Sequence, residues 1–386
     1  MKQSNQCHLP DRQGNLTSSC LRLLVVLLTL ASAVASRAEA TSITTTEARA
    51  AASDATDFTW HSPTCRADRA RAGAHDTTPG KAVFVDAAQA GKALMTNGTG
   101  RLKIYSLQGK PLTVHVYRPS QFDSTTGRIW FVMHGTRRDA ERYLQHAAPL
   151  AEHYRVLALA LEFSRKDYPS GDAYTLGVVG EGRANARAAA EGRWRRPLAM
   201  PYADIEQTFS AVRRALQSQQ PGYFIFGHSA GAQFVHRLLT FVPCPRVLSA
   251  VAANAGWYTL PTVDERLPPF PYSLRGTPRE FHDLRPLLAA PLTILLGIRD
   301  TRNSEEDLHL RASAGAMLQG PNRLERGRFY YQQGLQAARH ANVRLGWQLQ
   351  FAKSAGHDAA EVMAPAAQRL FAPVPEANQD PKQHPQ

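Results

Sequence analysis

Cysteine is scarce in this chain, with four in 386 residues. Cys7, Cys20, Cys65 and Cys244 form no CxxC pair, and no HExxH occurs, so the spacings that build most zinc sites are missing. Internal repeats are absent as well, which excludes solenoid and propeller architectures. No nucleic-acid-binding module is visible, although Lys and Arg outnumber Asp and Glu by 45 to 32 and give a formal net charge of +13. The densest arginine group, GRANARAAAEGRWRRP at 182 to 197, lacks the aromatic array that stacks on bases. It reads as a solvated basic surface, so no nucleic-acid partner is expected, and a weak attraction to anionic polymers or surfaces is the remaining use of the charge. What the chain does have is a globular composition. With 43% hydrophobic and 20% charged residues it can bury a substantial core.

The N-terminus carries the one long apolar run, LRLLVVLLTLASAVASRAEA, following Lys2, Arg12 and Arg22 and ending in the small-residue sites Ala33-Val34-Ala35 and Ala38-Glu39-Ala40. Residues 1–40 therefore read as an export signal for a periplasmic or secreted protein, with an uncleaved membrane anchor as the other reading. Cys20 precedes the apolar run and is badly placed for lipid attachment. Cleavage would leave Cys65 and Cys244, which an oxidising compartment lets pair or stay separate. Residues 41–84 have weak periodicity and the tail 373–386 is rich in Pro and Gln; both read as poorly ordered.

Between them, short apolar runs alternate with amphipathic segments. RLKIYSLQ and LTVHVYRP suggest an opening antiparallel hairpin across GKP. RIWFVMHG, RVLALALEF and GYFIFGHS are nearly continuous apolar runs of the kind a strand buried on both faces requires. VLSAVAANAG, LTILLGIRD and LGWQLQFAKSAG complete the set. In YADIEQTFSAVRRAL, Ile205, Phe209, Val212 and Leu216 share a helical face, with Asp204 and Glu206 near the start, where the helix dipole favours negative charge. The expected fold class is α/β, a mostly parallel central sheet with helices on both faces, over residues 85–372.

FIFGHSAGAQF, residues 224–234, places a GxSxG pentad, Gly227 to Gly231, at a strand-to-helix junction. Such a turn lifts the Ser229 hydroxyl above the sheet, and the two glycines remove side chains where the backbone must approach closely. The pentad alone arises by chance in roughly one chain in ten of this length. Its position between a buried strand and a helix makes it specific. A serine needs a base and the base an orienting acid, in the chain order Ser, acid, His. Of Asp264, Asp283, Asp300 and Asp307, only Asp300 directly ends a strongly apolar strand. Of His236, His282, His309, His340, His357 and His384, only His357 follows the closing strand. His236 reads as a packing residue and Asp358 as a helix start. An acyl-transfer site also needs two donors for the developing oxyanion. The Ala230 N–H and, from the loop MHGT, the Thr136 N–H are the candidates, with His134 holding that loop. Trp257 and Tyr258 either line an acyl or aromatic pocket or pack in the core.

With these residues in place, the stretches FVMHGTRRDAERY, GHSAGAQFVHR, AVAANAGWYTLP and PLTILLGIRDT resemble the α/β-hydrolase superfamily across nearly the whole domain. Within it they look like the bacterial group related to polyhydroxybutyrate depolymerases and feruloyl esterases. The resemblance implies a serine esterase that works through an acyl-enzyme on a small or polymeric ester, with no metal or organic cofactor. Relatives that cleave peptides and catalytically silent members that only bind are the alternatives. Two departures from the family pattern stand out. The interval from Asp300 to His357 is long, and so is the basic loop 163–200; both are placed to rim the site.

Overall fold

The doubly apolar runs become the middle of one sheet, and the hairpin becomes its edge. The computed structural model describes residues 83–177, 200–278 and 282–372. The segment 1–40 read as an export signal, the linker up to 82 with Cys65, the arginine-rich stretch 182–197 and the tail from 373 lie outside the described residues.

Helix α1 (Ala87–Met95) precedes strands β1 (Gly98–Tyr105) and β2 (Pro111–Arg118), followed by β3 (Ile129–Met133), α2 (Ala140–Tyr154), β4 (Leu157–Glu162) and the short α3 (Gly171–Thr175). Next come α4 (Ala203–Leu216), β5 (Tyr223–His228), α5 (Ala230–Phe241), β6 (Val247–Ala253), α6 (Arg285–Leu288) and β7 (Leu292–Gly297). The described chain closes with α7 (Ala314–Met317), α8 (Arg323–Ala341), β8 (Gln348–Ala352) and α9 (Ala359–Phe371).

The eight strands form one sheet in the order β1-β2-β4-β3-β5-β6-β7-β8. Only the β1–β2 and β2–β4 pairings are antiparallel; the rest are parallel. Alternation along β3 divides the core: Ile129, Phe131 and Met133 face one layer, Trp130 and Val132 the other. Helices α2 and α9 cover the second layer, while α1, α4, α5 and α8 pack on the first. Ile205, Phe209, Val212 and Leu216 of α4 are all buried in that first layer, each worth about 1.5–3 kcal/mol relative to exposure.

The acidic start of α4 does more than complement a dipole. Asp204 is buried, accepts the Leu107 N–H from the β1–β2 turn at 2.7 Å and meets no cation among the described residues; burial pushes its carboxyl up to about 7. Glu206 pairs with Arg246 at 2.7 Å. Cys244 is disulfide-bonded. Among the described residues no helix is long and apolar enough to cross a membrane.

Strand order reverses at β3 and β5, because the chain runs outward from β3 to β4 on one side and continues through β5 and β6 on the other. A crevice opens at such a switch point, beyond the strands' C-terminal ends. The loops after β3, β5, β6, β7 and β8 converge there.

Candidate active site

Ser229 is the turn between β5 and α5, and its backbone takes φ 58 and ψ −113. A non-glycine residue in that region costs about 1–3 kcal/mol, so the surroundings must enforce it. They do so by removing alternatives. A Cβ on Gly227 would collide with the Gly231 carbonyl, and a Cβ on Gly231 with the carbonyl of Met133 at the end of β3. The helix start is thus pressed against both strands, and the Ser229 N–H is held by the Ala253 carbonyl of β6 at 2.9 Å.

His357, in the loop between β8 and α9, brings Nε2 to 3.1 Å from Ser229 Oγ and Nδ1 to 2.7 Å from Asp300 Oδ2. With Nδ1–H donating to the carboxylate, the Nε2 lone pair is free to accept the serine proton. Asp300 is 3% exposed just past β7, while the ring of His357 keeps partial solvent access. Three residues remote in sequence therefore meet in an arrangement that can transfer a proton from a hydroxyl to an imidazole backed by a carboxylate.

Beside the serine lies the loop after β3. A Cβ placed on Gly135 would come to 3.9 Å from Ser229 Cβ. Thr136 is exposed on this loop and its carbonyl accepts from Arg165 at 3.0 Å. Ala230 opens α5, where backbone N–H groups point out of the helix start. His134 is fully buried, accepts the Phe163 N–H on Nε2 at 3.2 Å and donates from Nδ1 to the Gly135 carbonyl at 3.0 Å. Burial holds its pKa down to about 3, so it stays a neutral strut.

No family model matches the chain, and no curated protein does. Solved structures do. Poly(aspartic acid) hydrolase-1 from Sphingomonas sp. KT-1 is 36% identical over 72% of this chain and 100% of its own, with TM-score 0.64. A poly(3-hydroxybutyrate) depolymerase from Bordetella parapertussis is 31% identical over 75% of this chain and 96% of its own, with TM-score 0.65. The chain belongs to the α/β-hydrolases, in the polyhydroxybutyrate-depolymerase-like group.

Several residues that sequence reading passed over support the hydrolase's site. Asn254, buried at the end of β6 with φ 51, accepts the Gly297 N–H of β7 and donates to the Gly356 carbonyl, both at 2.8 Å. One amide thus ties the strand that carries Asp300 to the loop that carries His357. On the other side of the imidazole, the ring of His228 lies 4.7 Å from that of His357. Its Nδ1 is 2.8 Å from the Tyr143 hydroxyl, and burial, then the nearby charges of His357 and Arg323, push its pKa well down. Asp358 caps α9 through the Ala360 N–H, and Glu361 of the same helix accepts the Gly356 N–H at 2.6 Å.

Trp257 and Tyr258 follow β6 but face inward. Tyr258 is fully buried and stacks on Tyr330 at 4.3 Å, the packing alternative. Trp257, 4% exposed, is held between the guanidinium groups of Arg237 at 4.2 Å and Arg311 at 4.7 Å. The backbone of Tyr258 exchanges two 2.8 Å hydrogen bonds with the Gln319 amide, which fastens the long insertion after Asp300 to the hydrolase core. His236 packs beside Tyr258, with Nδ1 on the Ala232 carbonyl at 3.0 Å and the Thr259 N–H on Nε2 at 3.2 Å. Only part of the second rim loop, 163–177, lies within the described residues.

Proposed function

We propose that the protein is an exported serine esterase that cleaves carboxylic esters through an acyl-enzyme. The observation that carries this reading is the continuous line from Ser229 Oγ through His357 to Asp300, at 3.1 and 2.7 Å, on a positive-φ strand-to-helix turn. Ser229 Oγ attacks the acyl carbon as its proton passes to His357 Nε2. Asp300 accepts the Nδ1–H of the imidazolium and stabilises it. The Ala230 and Thr136 N–H groups face the oxygen that becomes negative. His357 then protonates the leaving alcohol; in the second half water attacks the acyl carbon as its proton passes to His357 Nε2, and that proton returns to Ser229 Oγ as the acyl–Oγ bond breaks and the acid leaves. Export rests on the apolar run that follows Lys2, Arg12 and Arg22.

A second reading, cleavage of an amide within an anionic polymer, draws on the net charge of +13 and on Arg165 at the Thr136 carbonyl. Of the two similar structures, one is named for poly(aspartic acid) and the other for poly(3-hydroxybutyrate). Wild-type protein should label with a fluorophosphonate and turn over p-nitrophenyl esters. Ser229→Ala should abolish labelling and lower turnover by about four to six orders of magnitude. Folded wild-type protein that does not label defeats the esterase reading, and faster turnover of poly(aspartic acid) than of any ester in a panel selects the amide reading.

A further inference from the structure

The long interval between Asp300 and His357 returns a buried cation to the acid. Arg323 is the first residue of α8, fixed there by Asn322, whose side chain caps the helix at the Glu325 N–H. Its side chain is 3% exposed. Nη1 lies 3.4 Å from Asp300 Oδ1, and Nη2 lies 2.8 Å from Asp307 Oδ2. The tight bond is the one to Asp307; the long contact to Asp300 acts through charge more than through a directed hydrogen bond. Asp307 is itself held by the His309 N–H at 3.0 Å. Burial works against its charge, but the Arg323 hydrogen bond, the His309 amide and the charges of Arg323 and His357 outweigh it and keep the carboxyl below its usual range.

The groups that face His357 can be named from every side. Asp300 comes from the end of β7, Arg323 and Asp307 from the insertion, and His228 from β5, kept neutral by burial. Asp358 is its chain neighbour and caps α9, while Arg299 and Glu361 lie toward solvent and face each other at 3.5 Å. Buried Asp300 and Arg323 and half-buried Asp307 together carry one net negative charge when His357 is neutral. They carry none, with the imidazolium included, when it holds a proton. The cluster therefore reaches neutrality at the moment Ser229 has given up its proton, the state in which an uncompensated charge beside the site costs most.

We propose that Arg323 and Asp307 are a charge-balancing pair that positions Asp300 and sets the basicity of His357. The inference rests on the reading of His357 as the catalytic base. Removing Asp307 alone leaves a surplus cation facing the imidazole and makes protonation of His357 harder. Removing both partners restores the balance even though both side chains are gone.

The test is kcat/KM against pH with a p-nitrophenyl ester for wild type, Asp307→Asn and the double variant Asp307→Asn with Arg323→Met. Asp307→Asn should move the acid limb to lower pH by about half a unit to one unit and lower the plateau about tenfold. The double variant should return the limb to its wild-type position. Replacing a buried ion pair with neutral groups is compatible with folding, and melting curves of all three proteins check it. Limbs that coincide in all three proteins, or a double variant displaced as far as Asp307→Asn, overturn the proposal while leaving the serine mechanism standing. Ester turnover that survives Ser229→Ala brings down the mechanism, and the proposal with it.

Discussion

The two halves of the proposed catalytic line are held in place by different means. Ser229 is positioned by backbone: a positive-φ turn, two glycines without room for a Cβ, and the Ala253 carbonyl on its N–H. His357 and Asp300 are positioned by side chains brought from far along the chain, with Asn254 bridging Gly297 to Gly356, Arg323 bridging Asp300 to Asp307, and Glu361 fixing Gly356. The difference teaches that Ser229, the proposed nucleophile, has no adjustable support. His357 and Asp300, the proposed base and acid, rest on several separable contacts, each of which can be weakened alone.

Substitutions on the two sides should therefore fail in different ways. Gly231→Ala strikes hardest, since the added methyl meets the Met133 and His134 carbonyls, which move only if β3 and α5 part. It should cost about 1–3 kcal/mol or more in stability and remove turnover, as read by thermal unfolding and ester assay. A normal melting curve with normal activity would show that the nucleophile's support does give.

Asn254→Ala acts on the other half. It leaves the Gly297 N–H and the Gly356 carbonyl without their side-chain partner but spares the turn at Ser229. Folding should survive while kcat falls about 10- to 100-fold and KM changes little. Equal losses in this variant and in Gly231→Ala, with unfolding in both, would erase the contrast.

The smallest effect is expected at Asp204, a buried carboxylate with no cation partner among the described residues, and hence the counterpart of Asp300 without its Arg323. Its carboxyl is raised by burial to about 7, against about 3.9 in an unfolded chain. The folded protein therefore holds the proton more tightly than the unfolded one. The stability this brings is complete below about pH 4 and is lost as pH rises through about 7. In Asp204→Asn that decline should disappear with activity unchanged, which melting temperatures at pH 5 and pH 8 would show. Parallel declines in both proteins would mean that burial alone does not control this carboxylate.

Much of this was legible from sequence, and the unread remainder has a physical reason. Strands buried on both faces announce themselves as apolar runs, and residues at their C-terminal ends inherit a position from the fold, so Ser229, Asp300 and His357 could be brought together on paper. Arg323 and Arg326 could not. They sit in RLERGRFYYQQGLQAARH, which reads as a solvated charged helix, yet both are buried, Arg326 on the carbonyls of Gly320, Gly256 and Arg311. A guanidinium's partners are scattered carbonyls and carboxylates that leave no periodic trace. Asn254 is hidden for the same reason, its two bonds reaching segments that follow it by 43 and 102 positions. Asp204 misled in the opposite sense, since a helix start is where an exposed acid is ordinarily found.

Arg138 follows Thr136 by two residues. It is buried with φ 65 and gathers the carbonyls of Phe163, Tyr168 and Ser170 at 2.7, 3.3 and 2.8 Å while lying over the ring of Tyr174. The loop after β3 and the segment 163–170 are thereby fastened to each other, so a displacement of one is expected to carry the other with it. Under the proposed mechanism, a substrate wide enough to shift segment 163–170 would also disturb Thr136, so wide substrates should lose kcat as well as affinity.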